Sequence, residues 1–136
     1  MTVRVKNKLY GLKHYRRQPS FFRYDWTRGV ITATELSPPN TARMFPALAN
    51  YEDRLIFSCG GKMLGEYEFV ATVEIYDIAG NEWIPGPNLK YKRSHASACT
   101  LENRLFVFCG HDGLNNIDKI EFLDLSNVTS NAWVEV

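Results

Sequence analysis

Cys109, His111 and Asp112 fall within four residues of one another, in the stretch FVFCGHDG (Phe106–Gly113). Thiol, imidazole and carboxylate at this spacing are the ingredients of two chemistries. One is a metal centre, which needs three or four ligands converging in fixed geometry. The other is a cysteine nucleophile activated by an adjacent base. Cys109 and His111 would share one face of a strand, because side chains alternate. Further ligands are scarce: the other histidines are His14 and His95. Fifty residues earlier the same positions hold Cys59, Gly61 and Lys62, which do not rebuild the cluster. Cys109 also closes an apolar run, and a buried thiol is normally inert. The cluster is therefore read as a turn, with no metal, no cofactor and no catalytic residue expected there. His111 and Asp112 sit on the loop leaving the strand, where a partner could touch them.

The elements that position this turn belong to a soluble globular composition, 45% hydrophobic and 23% charged over 136 residues. Short runs rich in Val, Ile, Phe, Tyr and Trp favour strands. No apolar run is long enough to span a bilayer. The first residues, MTVRVKNKLYGLKHYRR, lack an apolar leader core, so secretion is not expected. Three cysteines, an odd count, fit a reducing compartment. The expected location is the cytoplasm, with cytoskeletal association included. The triplet NVT at Asn127 matches the N-glycosylation pattern, which has no meaning without secretion. A disulfide between Cys59 and Cys109 is not expected, since they occupy equivalent places in different repeats.

An internal repeat organises the chain. RMFPALANYEDRLIFSCGG, from Arg43, aligns with RSHASACTLENRLFVFCGH, from Arg93, at an offset of 50. VEIYD (Val73–Asp77) aligns with IEFLD (Ile120–Asp124) at 47, and Trp83 with Trp133 at 50. Insertions of a few residues in loops account for the drift. Each copy predicts four strands: Phe45–Ala49 or His95–Thr100; Leu55–Cys59 or Leu105–Cys109; the VEIYD or IEFLD run; and a short strand starting at Trp83 or Trp133. The second strand is apolar throughout, as in a strand buried on both faces. A third, degraded copy occupies the N-terminus, where NKLYGL (Asn7–Leu12) matches NRLFVF and FFRYD (Phe21–Asp25) matches VEIYD. The expected units are a basic N-terminal segment and degraded blade at 1–42, then repeats at 43–92 and 93–136.

The pattern of a hydrophobic strand ending in glycine, a Val-Glu-x-Tyr-Asp strand, a Trp and then an Arg resembles the kelch-repeat β-propeller family. The repeat positions carrying the resemblance are Gly60 and Gly110, Glu74 and Glu121, Asp77 and Asp124, and Trp83 and Trp133. The first glycine of each pair is replaced by Cys59 or Cys109, or else Gly60 pairs with Gly61 in the earlier copy only. The register there stays open by one residue. The resemblance implies an all-β partial propeller of two or three four-stranded antiparallel blades. Trp83 and Trp133 would then fill the gaps between blades. Glu74 and Glu121, between apolar neighbours, need partners, for which Arg54 and Arg104 are candidates. Propellers of this family close with six or seven blades. An arc of three therefore implies further blades from self-association or another chain.

The resemblance also implies non-enzymatic protein binding at the propeller mouth, as in cytoskeletal organisers and ubiquitin-ligase substrate adaptors. Arg43, Arg93 and Ser94, by position, and His95, His111 and Asp112, as loop neighbours, are the candidate contacts. An arginine fork suits carboxylates. The alternative for the arginines is pairing with repeat carboxylates. Kelch-fold oxidases and epimerases are the enzymatic alternative, disfavoured by the shortage of histidine. Residues 4–28 offer another route to function. The first 28 residues hold eight basic and one acidic residue, net +7, against −6 for the remainder. Their interleaved aromatics suit nucleic acid or an acidic surface.

Overall fold

The computed structural model describes residues 1–15, 18–65, 67–126 and 132–136, excepting the side chains of His14 and Tyr15. Arg16, Arg17 and the glycosylation triplet at Asn127 lie outside the described residues. Every regular element described is a strand, and no helix is long and apolar enough to cross a membrane. Three four-stranded antiparallel sheets follow one another along the chain. The first holds β1 (Thr2–Val5), β2 (Lys8–Tyr15), β3 (Gln18–Thr27) and β4 (Val30–Leu36). A short ladder joins β5 (Arg43–Met44) to β8 (Lys62–Met63). The second sheet is β6 (Ala47–Tyr51), β7 (Leu55–Cys59), β9 (Val73–Asp77) and β10 (Glu82–Gly86). The third is β11 (Ser97–Leu101), β12 (Arg104–Phe108), β13 (Glu121–Asp124) and β14 (Val134–Glu135).

The tight turns explain the register. Glu102 and Asn103 form a two-residue hairpin loop with φ of 49° and 60°, the left-handed pair such loops require. The earlier copy uses three residues, Glu52 to Arg54, between β6 and β7. One residue is therefore missing from the later turn. The offset is 50 before it (Ala47 to Ser97) and 49 after it (Leu55 to Arg104). Cross-strand partners agree: Ser58 faces Glu74, and Val107 faces Glu121. This corrects the uniform offset of 50. Gly60 corresponds to Cys109 and Gly61 to Gly110, so Gly60 and Gly110 are not counterparts. Gly60 and Cys109 have φ of 67° and 61°. A Cβ on Gly60 would sit 2.4 Å from the carbonyl oxygen of Arg93, so the close approach demands glycine there.

Side-chain alternation divides each sheet into two faces. Val5, Tyr10, Leu12 and Phe21 of the first sheet pack against Ile56, Tyr76 and Trp83 of the second. On the opposite face of the second sheet, Ala47, Ala49, Phe57, Cys59 and Val73 pack against Leu105, Val107, Leu123 and Trp133 of the third. Trp83 and Trp133 lie in these two inter-sheet cores. The Trp83 ring lies 5.1 Å from both Phe21 and Tyr76. Burial on both faces holds for β7, where residues 56–59 are all buried. In β12 burial alternates instead, and the strand ends at Phe108, leaving Cys109 exposed. The reason is geometric: the second sheet is covered on both sides and the third on one.

Candidate functional site

The connectors between sheets are fastened to the sheet that follows. After the first sheet, the Asn40 amide and the Thr41 hydroxyl donate to the Glu74 carboxylate at 2.8 and 2.7 Å. Trp83 Nε1 donates to the Ser37 carbonyl at 2.8 Å. After the second sheet, the amides of Lys90 and Tyr91 donate to Glu121, and Trp133 Nε1 donates to the Pro87 carbonyl at 2.8 Å. The same clasp is built twice.

An arginine completes each clasp. Arg43 reaches Glu74 at 3.2 Å and donates from Nη1 to the carbonyls of Gly60 and Thr72. Arg93 reaches Glu121 at 3.0 Å and donates to the carbonyls of Cys109 and Lys119. Arg54 and Arg104, the expected partners of these glutamates, do not play that part. They lie at the far end of the strands, beside Asp77 and Asp124 rather than Glu74 and Glu121. Arg54 pairs on the surface with Glu52, and Arg104 lies over the Phe122 ring. Burial lowers the Arg43 guanidinium below its ordinary pKa, with Glu74 opposing the shift. One difference separates the copies. Arg43 Nε donates to Thr41, whereas Tyr91 stands at the matching place beside Arg93. Arg93 Nε is buried without a hydrogen bond among the described residues.

The candidate partner-binding residues thus divide into two groups. Arg43, Arg93 and Ser94 are buried and bonded internally. His95, His111 and Asp112 reach the surface. Phe45 and His95 precede β6 and β11 at matching places, both with positive φ, and the His95 amide donates to the Phe45 carbonyl at 3.0 Å. Their rings stack 4.0 Å apart. His95 stacks in turn on His111 at 5.1 Å, and His111 meets Phe69 at 5.3 Å. A row of four rings therefore lines one end of the sheets. Lys62 Nζ adds a cation, 4.3 Å from the Tyr67 ring and 5.8 Å from Phe69. Beside the row, an open depression of about 360 Å³ is lined by His95, His111, Asn116, Ile117 and Asp118.

Hydrogen bonds and neighbouring charges set the state of the polar groups at this end. The Ser94 hydroxyl lies 2.8 Å from His95 Nδ1 and fixes the imidazole. Burial, with His111 and Lys62 nearby, lowers the His95 pKa and favours its neutral form. Asp112 is turned inward on its own loop. It accepts from the amides of Leu114 and Asn115 at 2.9 and 2.7 Å, which holds its pKa below the carboxylate norm. Asp77 and Asp124 cap turns in the same manner, through Ala79 and Ser126. Cys59 is buried, and burial pushes its thiol up to about 12. Among the described residues, no three His, Cys, Asp or Glu side chains converge as metal ligands.

Phe45, Lys62 and Phe69 were missed in the sequence. Phe45 was legible, since it lies fifty residues before His95; Phe69 sits in the non-repeating loop and carried no signal. The basic N-terminal segment is partly neutralised. Lys8 and Arg23 both pair with Asp25, and Lys13 lies over the rings of Phe22 and Tyr24.

No protein-family model matches the chain. Individual relatives do. The chain is 29% identical over 70 residues to Kelch-like protein 8 of Mus musculus, covering 52% of this chain and 11% of that protein. It is 28% identical over 91 residues to a kelch repeat and BTB domain-containing protein of Caenorhabditis elegans, covering 67% and 15%. It is 32% identical over 79 residues to an F-box/kelch-repeat protein of Arabidopsis thaliana, covering 54% and 20%. The chain spans a fifth or less of the length of these relatives.

Proposed function

We propose that this chain, a member of the kelch-repeat family, is a non-enzymatic protein-interaction module that takes its partner at the ring-lined end of the sheets. The observation that carries the reading is the row Phe45–His95–His111–Phe69 beside Lys62. Ring faces accept apolar or aromatic side chains, imidazole nitrogens exchange hydrogen bonds, and an ammonium attracts carboxylates. A polypeptide segment mixing acidic and apolar side chains meets all three. Arg43, Arg93 and Ser94 serve this surface from beneath, by holding the sheets that present it.

BTB and F-box in the names of relatives support a scaffold or substrate-adaptor role; the proposed setting is the cytoplasm, cytoskeletal sites included. The test is comparative capture from cell extract on the immobilised chain and two variants, Lys62→Glu and the double variant His95→Ala/His111→Ala. Glu82→Gln, on an exposed strand away from the row, is the control. Proteins retained by the control and lost from both variants are the expected result. Identical capture by all four proteins would sink the reading.

A further inference from the structure

The two inter-sheet cores are one interface made twice. In each, a sheet offers the face that looks along the chain to the face of the next sheet that looks back. The two outermost faces are the unmatched halves of that same interface. On the first sheet, Leu9 pairs with Tyr24, as Ile56 pairs with Tyr76 and Leu105 with Leu123. Those later pairs are buried against the preceding sheet. Leu9 is 41% exposed, and with Tyr24, Trp26 and Ile31 it lines an open groove of about 340 Å³. On the third sheet, Phe106 pairs with Phe122 where Phe57 pairs with Ile75, and Phe108 stands in the place of Cys59. Phe57 and Cys59 are buried against the next sheet, whereas Phe106, Phe108 and Phe122 are only half-buried. Leu101, 63% exposed, and Val134, 44% exposed, flank them.

Charge separates these end sheets as well. Residues 1–36 carry eight basic and two acidic residues, net +6. Residues 97–136 carry two basic and six acidic, net −4. Lys13, over the Phe22 and Tyr24 rings, and Arg4 lie on the backward face of the first sheet, with Glu35 as an acidic neighbour paired to Phe22. Asp124 lies on the forward face of the third, paired across the strands with Arg104, which lies over Phe122.

We propose that the occupant of these faces is a second copy of this chain, docked head to tail. The backward face of one first sheet (Leu9, Tyr24, Trp26, Ile31) covers the forward face of the partner's third sheet (Phe106, Phe108, Phe122). Shape follows from the interface already built twice within the chain, and opposite net charge sets the polarity of the pairing. Face-to-face pairing of like sheets would instead bring like charges together.

Light scattering on the full chain tests this. The expected mass is twice 15.6 kDa, falling towards the monomer on dilution, with several-fold weaker association at high salt. Trp26→Glu blocks the first-sheet face at a position already 66% exposed, and Phe106→Glu blocks the third-sheet face. Leu101→Glu replaces the latter if circular dichroism shows that it fails to fold. Each blocked variant alone should be monomeric. Mixing the two should restore a dimer, because one intact pair of faces remains. A wild-type chain that stays monomeric at its highest soluble concentration overturns the proposal. A mixture that stays monomeric, or a single variant that still dimerises, overturns the head-to-tail arrangement.

Discussion

Arg93 and Glu121 form an ion pair at 3.0 Å in which neither side chain is exposed to solvent. The Glu121 carboxylate accepts from two connector amides as well, and the arginine holds two backbone carbonyls. A desolvated pair of this kind holds geometry more than it adds net stability. Removing one member is what hurts. Arg93→Ala should destabilise the chain by about 3–5 kcal/mol in chemical denaturation, because Glu121 is left buried and charged. Arg54→Ala, which breaks a pair exposed on both sides, should change little. Comparable losses in the two variants would contradict the distinction.

Trp83 and Trp133 donate the same bond to connector carbonyls fifty residues apart. Replacing either by Phe keeps an aromatic in the gap but orphans that carbonyl. A loss of about 1–3 kcal/mol is expected at each site, similar in both. A Trp133→Phe variant as stable as wild type would show that the bond contributes nothing.

Cys109 adopts the left-handed conformation that Gly60 adopts in the earlier repeat. A non-glycine residue costs about 1–2 kcal/mol there, and this side chain is exposed, so no packing is lost with it. Cys109→Gly should raise the melting temperature by a few degrees. Gly110→Ala should lower it sharply, since the added carbon meets the Ser94 carbonyl oxygen at 2.6 Å. A Cys109→Gly variant less stable than wild type would count against the strain.

Burial pushes the Cys59 thiol, and likewise the Tyr76 phenol, up to about 12, from 9.0 and 10.0. Above pH 9 the unfolded chain releases these protons while the folded chain retains them, so the unfolded state gains. Stability from these groups is complete below pH 9 and is lost as pH rises towards 12. Tyr76→Phe should make that alkaline decline shallower, and an unchanged slope would argue against it. A thiol reagent at neutral pH should label Cys99 and Cys109 promptly and Cys59 only on unfolding.

Much of the fold was legible because burial and turn chemistry write themselves into residue type. The VEIYD and IEFLD runs, the two tryptophans and the apolar β7 announced their strands and their packing. In the N-terminal sheet the signal lay in NKLYGL, FFRYD and the run from Gly29 to Pro39, and Leu9 of the first pairs with Tyr24 of the second. What escaped depends on geometry that composition does not record. A residue missing from a tight turn moves the later strand by one place. An apolar stretch hides this, because Phe57 matches Val107 and Phe106 equally well by type. The arginines matched the motif by position, but their depth is set by carbonyls 16 to 29 residues away. The ring row at the candidate site unites Phe45, His95, His111 and Phe69 from two repeats and an irregular loop, so no local pattern encodes it.

Each connector is fastened to the sheet that follows it, through Ser37, Asn40 and Thr41 in one case and Pro87, Lys90 and Tyr91 in the other. Under tension between its ends, the chain therefore has no slack between sheets. A pull on a connector loads the glutamate, the tryptophan and the arginine of the next sheet before any linker extends. Such a chain should yield in discrete steps, one clasp at a time.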